Sequence, residues 1–133
     1  MNYLERAKDD IYTAKLLLSP VGNPNNDEGK FDIAAYHTQQ AAEKGLKFLL
    51  HDLYGEDDED KRFRTHDISF LIRLAESKGS YIIPDELKII SVDLTMWEAQ
   101  SRYSDSSIAK KNEIQDASEI CERFLTSLES IVK

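Results

Sequence analysis

The stretch from Phe31 to Tyr54 constrains the fold of this 133-residue chain more than any other. At about 100° per residue, a set of its side chains falls within one arc of roughly 140°, the apolar stripe of a helix packed into a core. The set is Phe31, Ala34, Ala35, Thr38, Ala41, Ala42, Gly45, Leu46, Leu49 and Leu53. Most of these are small, and Gly45 predicts a close helix–helix contact, because glycine costs about 1 kcal/mol in a helix interior.

The other side of the same helix carries polar groups that also recur at helical spacing. One line of them is joined by three neighbouring basic side chains: Tyr36, Gln40, Glu43 and Lys47, with His37, Lys44 and His51 beside them. This side is either a solvated face or a functional one. It also offers a second face through which a two-fold dimer can form.

Four further helices are predicted from apolar residues at three–four spacing and from the turn residues between them. They span residues 2–18, about 68–78, 84 to about 102, and about 110–132. Thr65 or Asp67 is expected to cap the third helix and Gly79 to end it. No segment alternates apolar and polar residues for long enough to predict a strand. The expected fold is all-α, an up-and-down four-helix bundle with an additional short helix, as one domain over residues 1–133.

Composition excludes several classes of protein. The net charge of −8 disfavours a general nucleic-acid binder, which needs Lys and Arg against phosphate groups. The single cysteine, Cys121, excludes an internal disulfide, and its place on an apolar helix face predicts an inert core thiol. No apolar run approaches the roughly 18 residues that span a membrane, and the N-terminus lacks the pattern of a secretory signal. We therefore expect a soluble cytoplasmic protein, with the acidic run 56–60 as a solvated loop.

The common catalytic and cofactor motifs are absent, including the phosphate-binding glycine loops, the HExxH zinc motif and CxxC pairs. The three histidines do not follow one another at i, i+4, so neither a metal nor another cofactor is predicted. We interpret His37 and His51 as exposed helix residues. We interpret His66 as a helix-entry residue whose ring bonds the backbone.

Three blocks of the sequence, at residues 35–50, 65–68 and 99–103, together resemble a known family of helical bundles, the HEPN domains. Residues 35–50 read AYHTQQAAEKGLKFLL, which is close to the signature helix of that family, A-x-Y-H-x-Q-Q-A-A-E-K-x-L-K-x-L-L. Residues 65–68, THDI, resemble its second block, and residues 99–103, AQSRY, resemble its third, which ends the fourth helix. The blocks occur in the family's order and are distributed between residues 35 and 103.

The resemblance implies one of two activities. Many family members are ribonucleases, often toxins or defence proteins, that use an Arg and a His with four to six residues between them, paired across a homodimer. Here Arg102 stands at the Arg position, but the allowed His positions hold Ser107, Ile108 and Ala109, none of which transfers protons as an imidazole does. Other members lack this pair and bind nucleotides as partners of small nucleotidyltransferases.

The sequence therefore favours a non-catalytic HEPN module that forms a homodimer and binds a nucleotide or RNA, or a separate nucleotidyltransferase, in a toxin–antitoxin-like or defence setting. The expected ligand-binding residues are Arg102, Tyr103, Tyr36, His37, Gln40, Glu43, Lys44, Lys47 and His66. One alternative is a divergent, metal-independent ribonuclease toxin in which Arg102 acts with His66 or His37. The other is an oligomerisation scaffold.

Overall fold

The structure, a computed structural model, describes residues 2–57, 65–100 and 109–132. In these residues it contains five α-helices and no β-strand, which confirms the predicted all-α bundle. The helices are α1 (Tyr3–Leu18), α2 (Glu28–Phe48), α3 (Ile68–Lys78), α4 (Asp85–Gln100) and α5 (Lys111–Val132). None of the described helices combines the length and the apolar character that a membrane span requires.

Helix α2 is the centre of the bundle, because it packs against each of the other four helices. The apolar arc predicted for it faces the core: every member is buried except Leu53, which is half-buried. The predicted apolar faces of the other helices are buried as well, although Ile131 near the end of α5 is exposed and Ile90 on α4 is half-buried.

The helix starts follow from side chains that satisfy free backbone N–H groups. Asn2 begins α1 with a capping box, in which its side chain accepts from the amide of Glu5 and the Glu5 carboxylate accepts from the amide of Asn2. Asp27 caps α2, and Asp67 rather than Thr65 caps α3 by accepting from the amide of Phe70 at 3.1 Å. The cap at Asp67 fixes the chain next to His66.

The C-terminal end of α2 widens into a π-helical turn, Leu49–Leu53, before Gly55 ends it with φ of 73°. The amide of Tyr54 donates to the carbonyl of Leu49, five residues back, at 3.0 Å. A π-helical turn contains one more residue than an α-helical turn. Leu49 and Leu50, the adjacent residues at its start, are both fully buried.

Gly79 ends α3 as predicted, but the reason is packing and not a left-handed backbone. Its φ of −154° is extended, which any residue adopts. A β-carbon at this position would lie 2.1 Å from Cζ of Tyr54, whose hydroxyl accepts a hydrogen bond from the amide of Tyr81 at 3.0 Å. Gly79 thus leaves the space in which the Tyr54 ring joins the end of α2 to the segment before α4.

Cys121 is the core thiol that the sequence predicts. It is completely buried on α5, and this burial raises its pKa to about 12. A thiol that does not ionise near neutral pH is neither a good nucleophile nor a metal ligand. The residue therefore contributes packing and not chemistry.

Gly45 lies at the contact between α2 and α5, as its place in the apolar arc predicts. A β-carbon there would lie 2.8 Å from Cδ2 of Leu125 and 2.8 Å from Cε2 of Phe124. Phe124 is itself completely buried, so it has little room to move. The glycine thus sets how closely the two helices approach.

We expect Gly45→Leu to lower the free energy of unfolding by about 1–3 kcal/mol, because the larger side chain overpacks this contact. Urea denaturation measures the change. Ile33→Leu is the matched control, since Ile33 is an exposed residue of the same helix. A Gly45→Leu protein as stable as the parent would show that α2 and α5 separate easily.

Candidate ligand-binding site

The first two sequence blocks meet around one carboxylate, close to Glu98, which directly precedes the third block. The first block is on α2, the second is the entry to α3, and the third begins at Ala99 near the end of α4. Glu43 of the first block is buried, although its helical position had placed it on the polar side of α2. A buried carboxylate is stable only when it is paired and hydrogen-bonded.

Both oxygens of Glu43 have partners. Oε1 accepts from Nδ1 of His66 at 2.8 Å and from Nε2 of Gln39 at 3.2 Å. Oε2 accepts from Nζ of Lys47 at 3.1 Å, one helical turn further along α2. Lys47 supplies the positive charge, and His66 ties the carboxylate to another element of the fold. We call Gln39, Glu43, Lys47, His66 and Glu98 the Glu43 cluster.

The position of His66 is fixed from both sides of the α3 entry. Thr65 Oγ1 accepts from the amide of Asp67 at 3.0 Å, and the amide of Ile68 donates to Oγ1 of Thr95 on α4 at 2.9 Å. The His66 side chain is 44% exposed, so solvent reaches one part of the ring while Nδ1 is held by Glu43. The interpretation that this ring bonds the backbone is therefore wrong.

The hydrogen bond to Glu43 decides the chemistry of the His66 ring. A carboxylate only accepts, so Nδ1 is the donor in this contact, and Nε2 is the ring nitrogen left to meet other groups. Nε2 lies 3.9 Å from Oε1 of Glu98, a buried carboxylate on α4. A carboxylate that holds Nδ1 orients the imidazole and leaves Nε2 available. Such an arrangement suits the binding of a ligand or the transfer of a proton.

Sequence reasoning missed two members of the Glu43 cluster. Gln39 is completely buried; its Nε2 also donates to the carbonyl of His66 at 3.4 Å, and its Oε1 accepts from Gln40 at 2.7 Å. The i, i+4 spacing of Gln39 and Glu43 was the sequence feature that could have predicted their contact. Glu98 was detectable only as an acid beside the buried line of Leu94 and Trp97.

A second cluster forms on the α1 side of α2 around Asp10. Oδ1 of Asp10 lies 2.8 Å from Nδ1 of His37, and Oδ2 accepts from Nζ of Lys44 at 2.7 Å. The ring of Tyr36 meets that of His37 edge to face, with centroids 5.5 Å apart. The predicted site residues on α2 are thus divided between two carboxylates: Gln40, Glu43 and Lys47 on one side, and Tyr36, His37 and Lys44 on the other.

The interpretation of His37 and His51 as exposed histidines is wrong. Both are half-buried. His37 bonds Asp10 as described, and His51 stacks on Tyr3 and bonds the carbonyl of Glu56 at 3.0 Å. The polar side of α2 is therefore engaged with α1 and with the α3 entry through these contacts.

Several predicted residues lie outside the described parts of the chain. These are the predicted site residues Arg102 and Tyr103, two of the positions at which the family's ribonucleases carry a His (Ser107 and Ile108), and residues 58–60 of the acidic run. Within residues 2–57, 65–100 and 109–132, no three His, Cys, Asp or Glu side chains are placed to hold a metal ion.

Comparison with known protein families decides the classification. The family model for the HEPN domain matches residues 1–131. The chain belongs to the HEPN family. No curated protein and no solved structure matches it. As a HEPN domain, it is a helical module of the nucleotide-binding or ribonuclease type.

The Glu43 cluster makes a distinct prediction about stability. Glu43→Ala leaves Lys47 and Gln39 without their shared acceptor, so we expect it to lower the free energy of unfolding by about 3–5 kcal/mol. His66→Ala removes a part-exposed ring and should cost at most about 1 kcal/mol. Urea denaturation of both variants measures the difference.

Glu86→Ala is the control, because the bond of Glu86 to Arg123 is on the surface and its loss should change stability little. Equal effects of Glu43→Ala and Glu86→Ala would contradict a central role for the buried carboxylate.

Proposed function

We propose that this HEPN domain is a homodimeric, cytoplasmic binding module, one domain over residues 1–133, that takes a nucleotide or the nucleotide-bearing surface of a partner protein. The observation that supports this is that two of its three sequence blocks meet at the Glu43 cluster. The Glu43 cluster joins the first block to the second, and Glu98, which directly precedes the third block, lies beside the half-exposed His66. The amide, ammonium and carboxylate groups of the Glu43 cluster therefore lie around the His66 ring, which is accessible to solvent.

The roles of the individual groups follow from their chemistry. Arg102 presents a planar guanidinium, which binds phosphate in a bidentate way. His66 and Gln40 offer a ring nitrogen and an amide for a base edge, and Tyr36 or Tyr103 offers a ring on which a base stacks. Lys44 and Lys47 already bind Asp10 and Glu43, so they add less positive potential than their number suggests.

A separate nucleotidyltransferase is the protein partner that the family resemblance favours. Such an enzyme carries or transfers nucleotides, so a domain that binds a nucleotide through Arg102 and His66 suits a complex with it. Such a pair would act in a toxin–antitoxin-like or defence setting.

The ligand proposal is tested by calorimetric titration of ATP, GTP and a short RNA into the wild-type protein and Arg102→Ala. Loss of a charged hydrogen bond to phosphate should weaken binding by about 1.5–3 kcal/mol, with little change in stability. Arg73→Ala is the matched control, because Arg73 is an exposed arginine of α3 that lies outside the three sequence blocks. Equal weak binding by all three proteins would exclude an anion site at Arg102.

One observation favours a second candidate function, a ribonuclease. The hydrogen bond from Nδ1 of His66 to the buried Glu43 orients the ring. In this mechanism Nε2 takes the proton of a ribose 2′-hydroxyl while Arg102 holds the phosphate. His37 suits this role less well, because its Nδ1 is bound in the separate cluster around Asp10.

Cleavage of RNA by the purified protein, free of added metal, tests this candidate. If His66 is the base, His66→Ala should slow cleavage by about 10²–10⁴-fold, the usual contribution of general-base catalysis. Arg102→Ala should also reduce cleavage, whereas His37→Ala should preserve it. Cleavage that survives His66→Ala would assign the activity to another group, and its complete absence in the wild type supports the binding module.

A further inference from the structure

Helix α4 has two apolar faces, and only one of them is covered. The inner face packs into the core through Leu87, Leu94 and Trp97. On the outer face, Ile89 is 79% exposed, Val92 61% and Met96 48%. A helix that is apolar all round is normally buried on all sides, so the outer face of α4 is unusual for a surface helix.

The exposed residues follow the spacing of a helix–helix seam. Ile89, Val92, Met96 and the exposed Ala99 stand at i, i+3, i+7 and i+10, which is the a/d pattern of two helices packed along each other. The stripe is about 15 Å long at 1.5 Å per residue. We call these four residues the α4 stripe.

The groups at the edges of the α4 stripe indicate what covers it. Lys88 precedes Ile89 on one edge, and the exposed Asp93 follows Val92 on the other. In two parallel α4 helices related by a two-fold axis, Lys88 of each copy lies beside Asp93 of the other, the arrangement of edge charges in parallel coiled coils. In an antiparallel pair, the two Asp93 side chains would lie beside each other and repel.

The other exposed apolar surface is a weaker candidate. A groove of about 510 Å³ between α1 and α5 is lined by residues that include Tyr12, Leu16 and Leu125. Two ion pairs, Lys8–Glu129 and Lys15–Glu122, connect α1 to α5 across it. Its charged groups are thus paired across the groove itself, whereas the ion pair of Lys88 with Glu76 of α3 lies at the edge of the α4 stripe.

We infer that the α4 stripe is a surface for a second copy of this chain, with α4 packed against its symmetry mate in the parallel direction. This rests on the proposed homodimer and places its interface. The apolar side chains of the two copies pack against each other at the centre of the contact. The Lys88–Asp93 pairs at its two edges set the parallel direction of the two α4 helices. Lys88 also bonds Glu76 of α3, so α3 borders this interface. The Glu43 cluster remains outside the contact between the two stripes, because Glu98 belongs to the inner face of α4.

The mass of the protein at micromolar concentration tests this inference, measured by sedimentation equilibrium. The wild type should have twice the chain mass. Val92→Glu puts a charge in the centre of the apolar contact and should weaken dimerisation by about 100-fold or more. Tyr12→Glu is the matched control, because Tyr12 is a similarly exposed apolar side chain on α1, and this variant should remain dimeric.

A charge exchange tests the direction of the helices. Lys88→Asp and Asp93→Lys should each weaken the dimer by about tenfold, and the two changes together should restore it. An antiparallel pair predicts no rescue, because the two new lysines at position 93 would repel like the original aspartates. Thermal melts verify that each variant is folded.

The outcomes separate this inference from the proposed function. A dimer that survives Val92→Glu, or that only Tyr12→Glu disrupts, would overturn the α4 interface and leave the homodimer in place. A monomeric wild type would overturn both the interface and the proposed homodimer. Failure to bind a nucleotide leaves the interface unaffected, because the ligand titration measures a different surface.

Discussion

A buried carboxylate links the fold of this HEPN domain to its candidate site. Removing a carboxylate from water costs several kcal/mol unless its partners are well placed. Glu43 meets this requirement only because Lys47 and Gln39 follow and precede it by one helical turn and because His66 approaches from another element. The chain before α3 therefore has to lie against α2. The cap at Asp67 and the hydrogen bond from the amide of Ile68 to Thr95 hold it there.

The small residues of α2 make this arrangement possible. A central helix with large side chains would keep its four neighbours too far away for polar groups on different elements to meet. Ala34, Ala35, Ala41 and Ala42 are completely buried, and Gly45 brings the aromatic ring of Phe124 close to the backbone of α2. Packing on the apolar side thus sets the position of α2, from which its polar side reaches Asp10 in one direction and His66 in the other.

Much of the fold was predictable from the sequence, whereas the contacts of the site were not. The apolar arc of α2, the cap at Asp67, the close approach at Gly45 and the inert Cys121 all follow from local spacing and residue type, which a helix period reveals. Helical spacing does not reveal what faces a polar side chain. Glu43 and His37 looked alike as polar helix residues, yet their partners come from elements 23 and 27 residues away along the chain. Gln39 and Glu98 were missed because both are buried near His66, a residue of the α3 entry that helical spacing does not place beside them.

The two carboxylate clusters also determine where a second copy of the chain can bind. Asp10 engages α2 from α1, and the Glu43 cluster engages it from the α3 entry, so the polar face of α2 is occupied within the chain. The α1–α5 groove is crossed by ion pairs, which a partner would have to break. Helix α4 differs, because its inner side already stabilises the fold while its outer side still presents apolar residues to water. Covering that side gains the free energy of burying apolar surface and breaks none of the ion pairs within the two clusters. The same polar contacts that assemble the candidate site therefore support α4 as the interface of the proposed homodimer.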